Sequence, residues 1–273
     1  MILNIYLKLL PMGRLLRTAI LALALLACQA RVAAQCPMEN TAFQAGEKLT
    51  YDLYFNWNFI WVHCGSACYT VKSDSYKGQD VLRNDLLFTT SKKCDMFFVM
   101  RDTMVNYITP DLVPLYFRKG ATEGHNYTVD ELWYSYPGGK TTVKQRRLNR
   151  HGEWSQKQTT SDDCIFDMLS ILARARSYDT RSLRVNDRIH FPMATGKDVR
   201  QQTLVYKGKQ KWKANDKKTY NCLVFSLLND EDKKKELLRF YVTDDARHLP
   251  VRIDFNLKFG TAKAFFAKGE GLR

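Results

Sequence analysis

Every second residue from 49 to 57 is apolar. Leu49, Tyr51, Leu53, Phe55 and Trp57 share one face of an extended chain, while Lys48, Thr50, Asp52 and Asn56 share the other. The same alternation returns near the C-terminus, where Val251, Ile253, Phe255, Leu257 and Phe259 oppose Arg252, Asp254, Asn256 and Lys258. A two-residue period marks a strand with one buried face, and each such side chain contributes about 1.5 to 3 kcal/mol on burial. Further strands are expected over 61–72, 79–90, 96–108, 116–119, 125–136, 141–149, 187–192, 199–206, 220–228 and 237–243. Turn chemistry separates them at Lys77-Gly78, Thr109-Pro110-Asp111, Pro137-Gly138-Gly139, 149–152, Asn229-Asp230 and Asp244-Asp245. So many short strands at hairpin spacing predict a mainly antiparallel sheet that has to curl or close.

One segment departs from this period. Ile165, Phe166, Met168, Leu169, Ile171 and Leu172 form a broad apolar stripe within 164–178, preceded by Ser161-Asp162-Asp163 as capping residues and followed by Arg174 and Arg176. The spacing predicts a helix of about four turns. The fold class expected is therefore mainly β: a curved antiparallel sheet, half-barrel or open barrel, with one amphipathic α-helix packed on its concave side.

The N-terminal 34 residues carry a different signal. Arg14 and Arg17 precede an apolar run over 19–27 and then Val32-Ala33-Ala34, the order of a secretory signal peptide, with Met12 as an alternative start. The run is too short for a comfortable membrane span. Cleavage after Ala34 leaves a single exported domain over 35–273, and the alternative cut before Cys28 would anchor the chain through acyl groups. The expected location is the periplasm or the outer membrane. Losing Lys8, Arg14, Arg17 and Arg31 with no acidic residue lowers the formal charge from +14 to +10. A basic exported chain points to lipid headgroups, acidic glycans or an acidic protein, and export argues against nucleic acid.

Export also decides how the cysteines read. Cys36, Cys64, Cys68, Cys94, Cys164 and Cys222 form an even set with fifteen complete pairings, all disulfide candidates. Cys64 and Cys68 stand roughly 13 Å apart in extended chain and cannot pair without a turn at Gly65-Ser66. A bridge from Cys164 to Cys222, pinning the helix start to a core strand, is the pairing expected first.

Chemistry-bearing motifs are scarce. The five histidines, His63, His125, His151, His190 and His248, show no metal-ligand spacing, and His63 beside Cys64 and Cys68 lacks a fourth zinc ligand. No nucleophile elbow or phosphate loop occurs. Asp162-Asp163 and Asp244-Asp245 read as a helix cap and a turn rather than as glycosidase carboxylates. No catalytic residue, metal or cofactor is expected.

Two surface features remain. Lys207, Lys209, Lys211 and Lys213 alternate along an extended stretch, with Tyr206 and Trp212 expected opposite. They form a basic face that suits peripheral membrane contact or protects a strand edge. The aromatic run Tyr51, Tyr54, Phe55, Trp57, Phe59 and Trp61 would stack sugars or line an apolar cavity, with core packing accounting for most of it.

The strings AFQAGEKLTYDLYFNWNFIWV, CIFDMLSILARAR and FYVTDDARHLPVRIDFNLKFGTAKAF, with Arg101-Asp102-Thr103 leading to Pro114-Leu115-Tyr116-Phe117, resemble an exported bacterial family, domain of unknown function 3108. The resemblance runs over 42–266 and implies a β-rich periplasmic or outer-membrane-associated domain without established catalytic residues. The cysteine set departs from the family pattern. The function expected is a non-catalytic binding domain for an apolar or lipid-like ligand. The alternatives are an envelope interaction module that binds protein or acidic glycan through the basic face, and a hydrolase of envelope polymers.

Overall fold

The computed structural model describes residues 36–273 apart from 58–59, 97–98, 230–234 and 258–259. The signal segment and Cys28 lie outside the described residues. The strands are β1 (Lys48–Trp57), β2 (Ile60–Tyr76), β3 (Gln79–Thr90), β4 (Met100–Ile108), β5 (Pro114–Glu123), β6 (Asn126–Ser135), β7 (Thr141–Leu148), β8 (Trp154–Ser161), β9 (Arg188–Ala194), β10 (Val199–Lys213), β11 (Thr219–Asn229), β12 (Glu236–Thr243), β13 (Pro250–Leu257) and β14 (Gly260–Glu270). Two helices, α1 (Lys92–Asp95) and α2 (Met168–Arg176), interrupt them. Every strand pairs antiparallel with its sequence neighbours, except that β8 and β9 are the two edges and β1 joins β14. The result is one 14-stranded sheet, not closed by strand pairing.

The cross-strand register fixes which side chains face the interior, because residues directly opposite share a face. Tyr51 lies opposite Ala67 and Phe266, Leu86 opposite Tyr69 and Met104, and Phe117 opposite Leu132. This face holds the core, and Leu169 and Ala173 of α2 are fully buried against it. The β9–β10 turn passes over the interior face of β6 and β7 instead of extending the sheet. There the Gln145 amide donates to the Thr195 carbonyl at 2.8 Å, and Gly196 lies so close to Asp130 that a Cβ would collide with its carboxylate. The sheet therefore rolls past its own edge.

The helix is shorter than the apolar stripe predicts. Its cap is Asp167, not Ser161-Asp162-Asp163: the Asp167 carboxylate accepts from the Leu169 and Ser170 amides at 2.9 Å each, and the Ser170 hydroxyl accepts from the Asp167 amide. Residues 164–166 are committed elsewhere. Phe166 forms a parallel bridge to Met193 of β9, with its amide donating to the Pro192 carbonyl. Asp162 pairs with Lys140 at 2.9 Å.

Sequence patterning missed β8 and β14. The expected strand over 96–108 begins at Met100, because Lys92–Asp95 turns as a helix. In β10, Tyr206 does not share a face with Trp212. The register slips between Tyr206 and Gly208, where Gly208 adopts φ +95°, so Tyr206 opposes Phe225 whereas Gly208 opposes Val224. Lys207 is the extra residue of this bulge, and the parity of every later side chain inverts.

The bridges are Cys36–Cys164 and Cys64–Cys94. The expected Cys164–Cys222 bridge does not form: Cys222 is buried on β11, and the N-terminal arm brings Cys36 to Cys164 instead. Cys68 is likewise not bridged. Gly65 makes the second bridge possible, since the register skips Cys64 between Leu53 and Tyr54 and a Cβ at Gly65 would strike the Thr89 carbonyl. Two disulfides point to an oxidising, non-cytoplasmic compartment.

Candidate functional site: an apolar cavity beside the internal helix

Two polar devices hold α2 against the interior face of the sheet. At its N-terminus, the Tyr69 hydroxyl donates to Asn84, the Asn84 amide to Asn106, and the Asn106 amide to Asp167, at 2.8, 2.8 and 3.2 Å. This chain crosses β2, β3 and β4 on the interior face and ends on the helix cap. Burial pushes the Asp167 carboxyl up to about 6, against the hydrogen bonds it accepts from Ser170, Leu169 and Asn106. At the other end, Arg176 donates two hydrogen bonds to Glu47, at 2.5 and 3.0 Å, and both side chains are buried. Burial pulls the Arg176 guanidinium down, but the Glu47 carboxylate more than offsets this and the net shift is upward. The His248 ring donates from Nδ1 to the Arg176 carbonyl at 2.7 Å.

Between these two devices and the β13–β14–β1–β2–β3 wall lies a cavity of about 70 Å³. Leu49, Tyr51, Tyr69, Phe88, Ile253 and Phe255 line it, with Leu172 and Arg176 of the helix on the opposite side. Burial, above all, raises the phenols of Tyr51 and Tyr69, so both are neutral donors. The Tyr51 hydroxyl is spent on the Pro250 carbonyl at 2.9 Å. The polar groups of the wall are thus occupied by one another, and what the cavity offers a guest is hydrocarbon surface.

One end of the barrel exposes this interior. Along β13, the interior-facing side chains pass from Val251, 0% exposed, through half-buried Ile253 and Phe255 to Leu257, 50% exposed. The ends of β1 and β3 and the starts of β2, β4 and β14 lie at the same end by antiparallel alternation.

The aromatic run is divided by this arrangement. Tyr51 lines the cavity and Phe55 is half-buried on the same face, whereas Tyr54 packs on the outer face against His63 and Phe265. Trp61 stands at the open end under Lys263, whose ammonium sits 4.1 Å from the ring centre. Phe59 and the side chain of Trp57 lie outside the described residues. Lys207, Lys209, Lys211 and Lys213 are all exposed and none lines the cavity, and Lys209 is paired with Asp244 at 2.7 Å. Asp245 is tied to Arg247. Among the described residues no cluster of histidine, cysteine or carboxylate suits a metal ion, and Cys64 beside His63 is consumed by its disulfide. No described helix is long and apolar enough to cross a membrane.

Patterning could not find Glu47, Asn84, Asn106, Asp167 or Arg176 as a set. The one available signal was an asparagine at an interior parity on each of β3 and β4, which an apolar face would not carry without partners.

Fold and site together define an open antiparallel β-barrel built around a capped internal helix, with an apolar cavity beside that helix. The chain belongs to the family described as "Protein of unknown function (DUF3108)", whose profile matches residues 50–267. The fold is similar to that of a β-barrel-like protein of domain of unknown function DUF1849 from Brucella abortus. The TM-score is 0.54 at 11% identity, covering 84% of this chain and 99% of that one. A protein with a YmcC-like fold from Bacteroides fragilis aligns with a TM-score of 0.32 at 8% identity, over 86% of this chain and 100% of that one. No curated protein matches the sequence significantly.

Proposed function

We propose that this protein is a non-catalytic binding barrel of the cell envelope, periplasmic or associated with the outer membrane, that takes the end of a slender apolar ligand such as an acyl chain. The observation that carries this reading is the cavity itself, an apolar interior space whose polar neighbours satisfy one another. Its size sets the form of the guest. Some 70 Å³ is about half of the 150 Å³ cavity that stays dry and admits benzene, so the tip of a chain enters while the remainder lies along Phe255 and Leu257 toward the open end. The basic, apolar, small-residue order of the N-terminal segment supports export, with cleavage after Ala34 releasing the protein and cleavage before Cys28 anchoring it. Titration with an environment-sensitive naphthylamine dye tests the reading. Fluorescence should rise on binding and fall when a fatty acid competes, and a flat titration refutes it.

A second reading rests on the exposure of Lys207, Lys211 and Lys213 on one strand. A protein or acidic glycan of the envelope would dock there, and reversing these charges should abolish its salt-sensitive capture.

A further inference from the structure

The open end of the barrel carries an unusual surface. Ile60 is 67% exposed, Met96 76%, Trp61 40%, and Leu257 completes the group. Large apolar side chains exposed singly are ordinary, but four at one end of one sheet are not. Leu257 pairs with Gly260 across the β13–β14 ladder, and Phe55 joins Ala262 on one side to Val62 on the other, so Leu257 on β13 and Ile60 and Trp61 on β2 stand at the same end with β14 and β1 between them. Met96 is brought to them by the Cys64–Cys94 bridge, which ties α1 to β2. Neighbouring strands lie about 4.8 Å apart, so the group spans roughly 15 to 20 Å.

The charges there are basic. Lys92 and Lys93 are exposed on α1, and Lys263 lies over Trp61, its ammonium pulled down by burial and by Arg252. Of the carboxylates at this end, Asp95 is held by Arg101 at 2.6 Å, Asp52 takes the Asn215 amide at 2.9 Å, and Glu123 lies 3.9 Å from Lys119. Aliphatic and indole groups beside lysines match the boundary of an anionic bilayer, where an indole sits at headgroup depth and each lysine near the surface changes affinity by about fivefold.

We infer that the rim formed by Ile60, Trp61, Met96 and Leu257, with Lys92, Lys93 and Lys263, docks on an anionic lipid surface. Its occupant is a bilayer, and its geometry sets the open end of the cavity against the acyl region, so that an apolar guest passes between membrane and barrel without crossing water. This extends the cavity reading, but the two are separable, because dye uptake reports the cavity and vesicle binding reports the rim.

The test is co-sedimentation of the mature protein, purified from its own host, with phosphatidylcholine vesicles prepared with and without phosphatidylglycerol. Binding should require phosphatidylglycerol and weaken with salt. K92E/K93E and, separately, I60S/M96S should each reduce it at least tenfold while dye uptake and melting temperature are retained. K211E/K213E, on the lysine stripe of β10, should leave it within about twofold. The inference is overturned if the wild type ignores anionic vesicles, if both rim variants bind as the wild type does, if K211E/K213E alone abolishes binding, or if the rim captures a protein and no lipid.

Discussion

Filling the cavity should stabilise the protein and abolish ligand uptake together. Ala67 is buried, sits on β2 opposite Tyr51 and lines the space, so A67L places three more carbons where no protein atom now lies. An interior void costs about 24 cal/mol per Å³ in lost contacts, so 70 Å³ sets a ceiling of about 1.7 kcal/mol on the gain. A domain of this size shifts by about 2 to 4 °C per kcal/mol, which gives a rise of about 3 to 7 °C, less whatever strain the leucine rotamer meets. Differential scanning calorimetry measures the stability, and dye titration of the same sample measures uptake, which should fall at least tenfold. A melting temperature lowered by several degrees with dye affinity unchanged would refute the reasoning, since it would mean that the space is closed in solution and the dye binds elsewhere.

Other consequences follow from the polar interior and the bridges. Because Asp167 is raised from 3.8 to about 6 by burial, its protonated form favours the folded state. The stability it contributes is full below about pH 4 and lost as pH rises through 6, up to about 3 kcal/mol in all. Urea denaturation across pH 4 to 6.5 should show that loss in the wild type and not in D167N, and parallel curves would exclude it. E47A should cost about 3 to 5 kcal/mol by leaving Arg176 buried and uncompensated, whereas E47L/R176M should recover most of that; equal losses would show that the pair itself is dispensable. Loop-closure entropy predicts that C36S/C164S, removing a bridge over 128 residues, costs about 1.3 kcal/mol more than C64S/C94S, which spans 30, and the difference is readable from denaturant midpoints at fixed slope.

The sequence carried most of the β-architecture because a half-buried strand writes its own period, as Leu49, Tyr51 and Leu53 show. It failed where that physics is missing. β8, WSQKQTTS, is an edge strand exposed along nearly its whole length, so it has no apolar face to announce it. In β14 the interior positions include Ala262 and Ala264, which are too small to stand out. The helix was legible from its stripe, but its start was not: a single buried aspartate with Ser170 outcompetes the Ser-Asp-Asp cluster upstream, because Cys164 and Phe166 are held by Cys36 and β9. The Lys207–Gly208 bulge inverted one face, and the glycine was its only trace. Glu47 and Arg176 lie 129 residues apart, and only the finished fold brings them together around the cavity.

The central claim is that the barrel interior holds an apolar guest, and native mass spectrometry of the protein purified gently from its own host's envelope tests it most directly. The account predicts a discrete adduct with the mass of a lipid or fatty acid, lost on organic extraction, restored by adding the same molecule back, and absent from A67L. A single apo mass for the wild type, unchanged after incubation with a panel of envelope lipids, would contradict it.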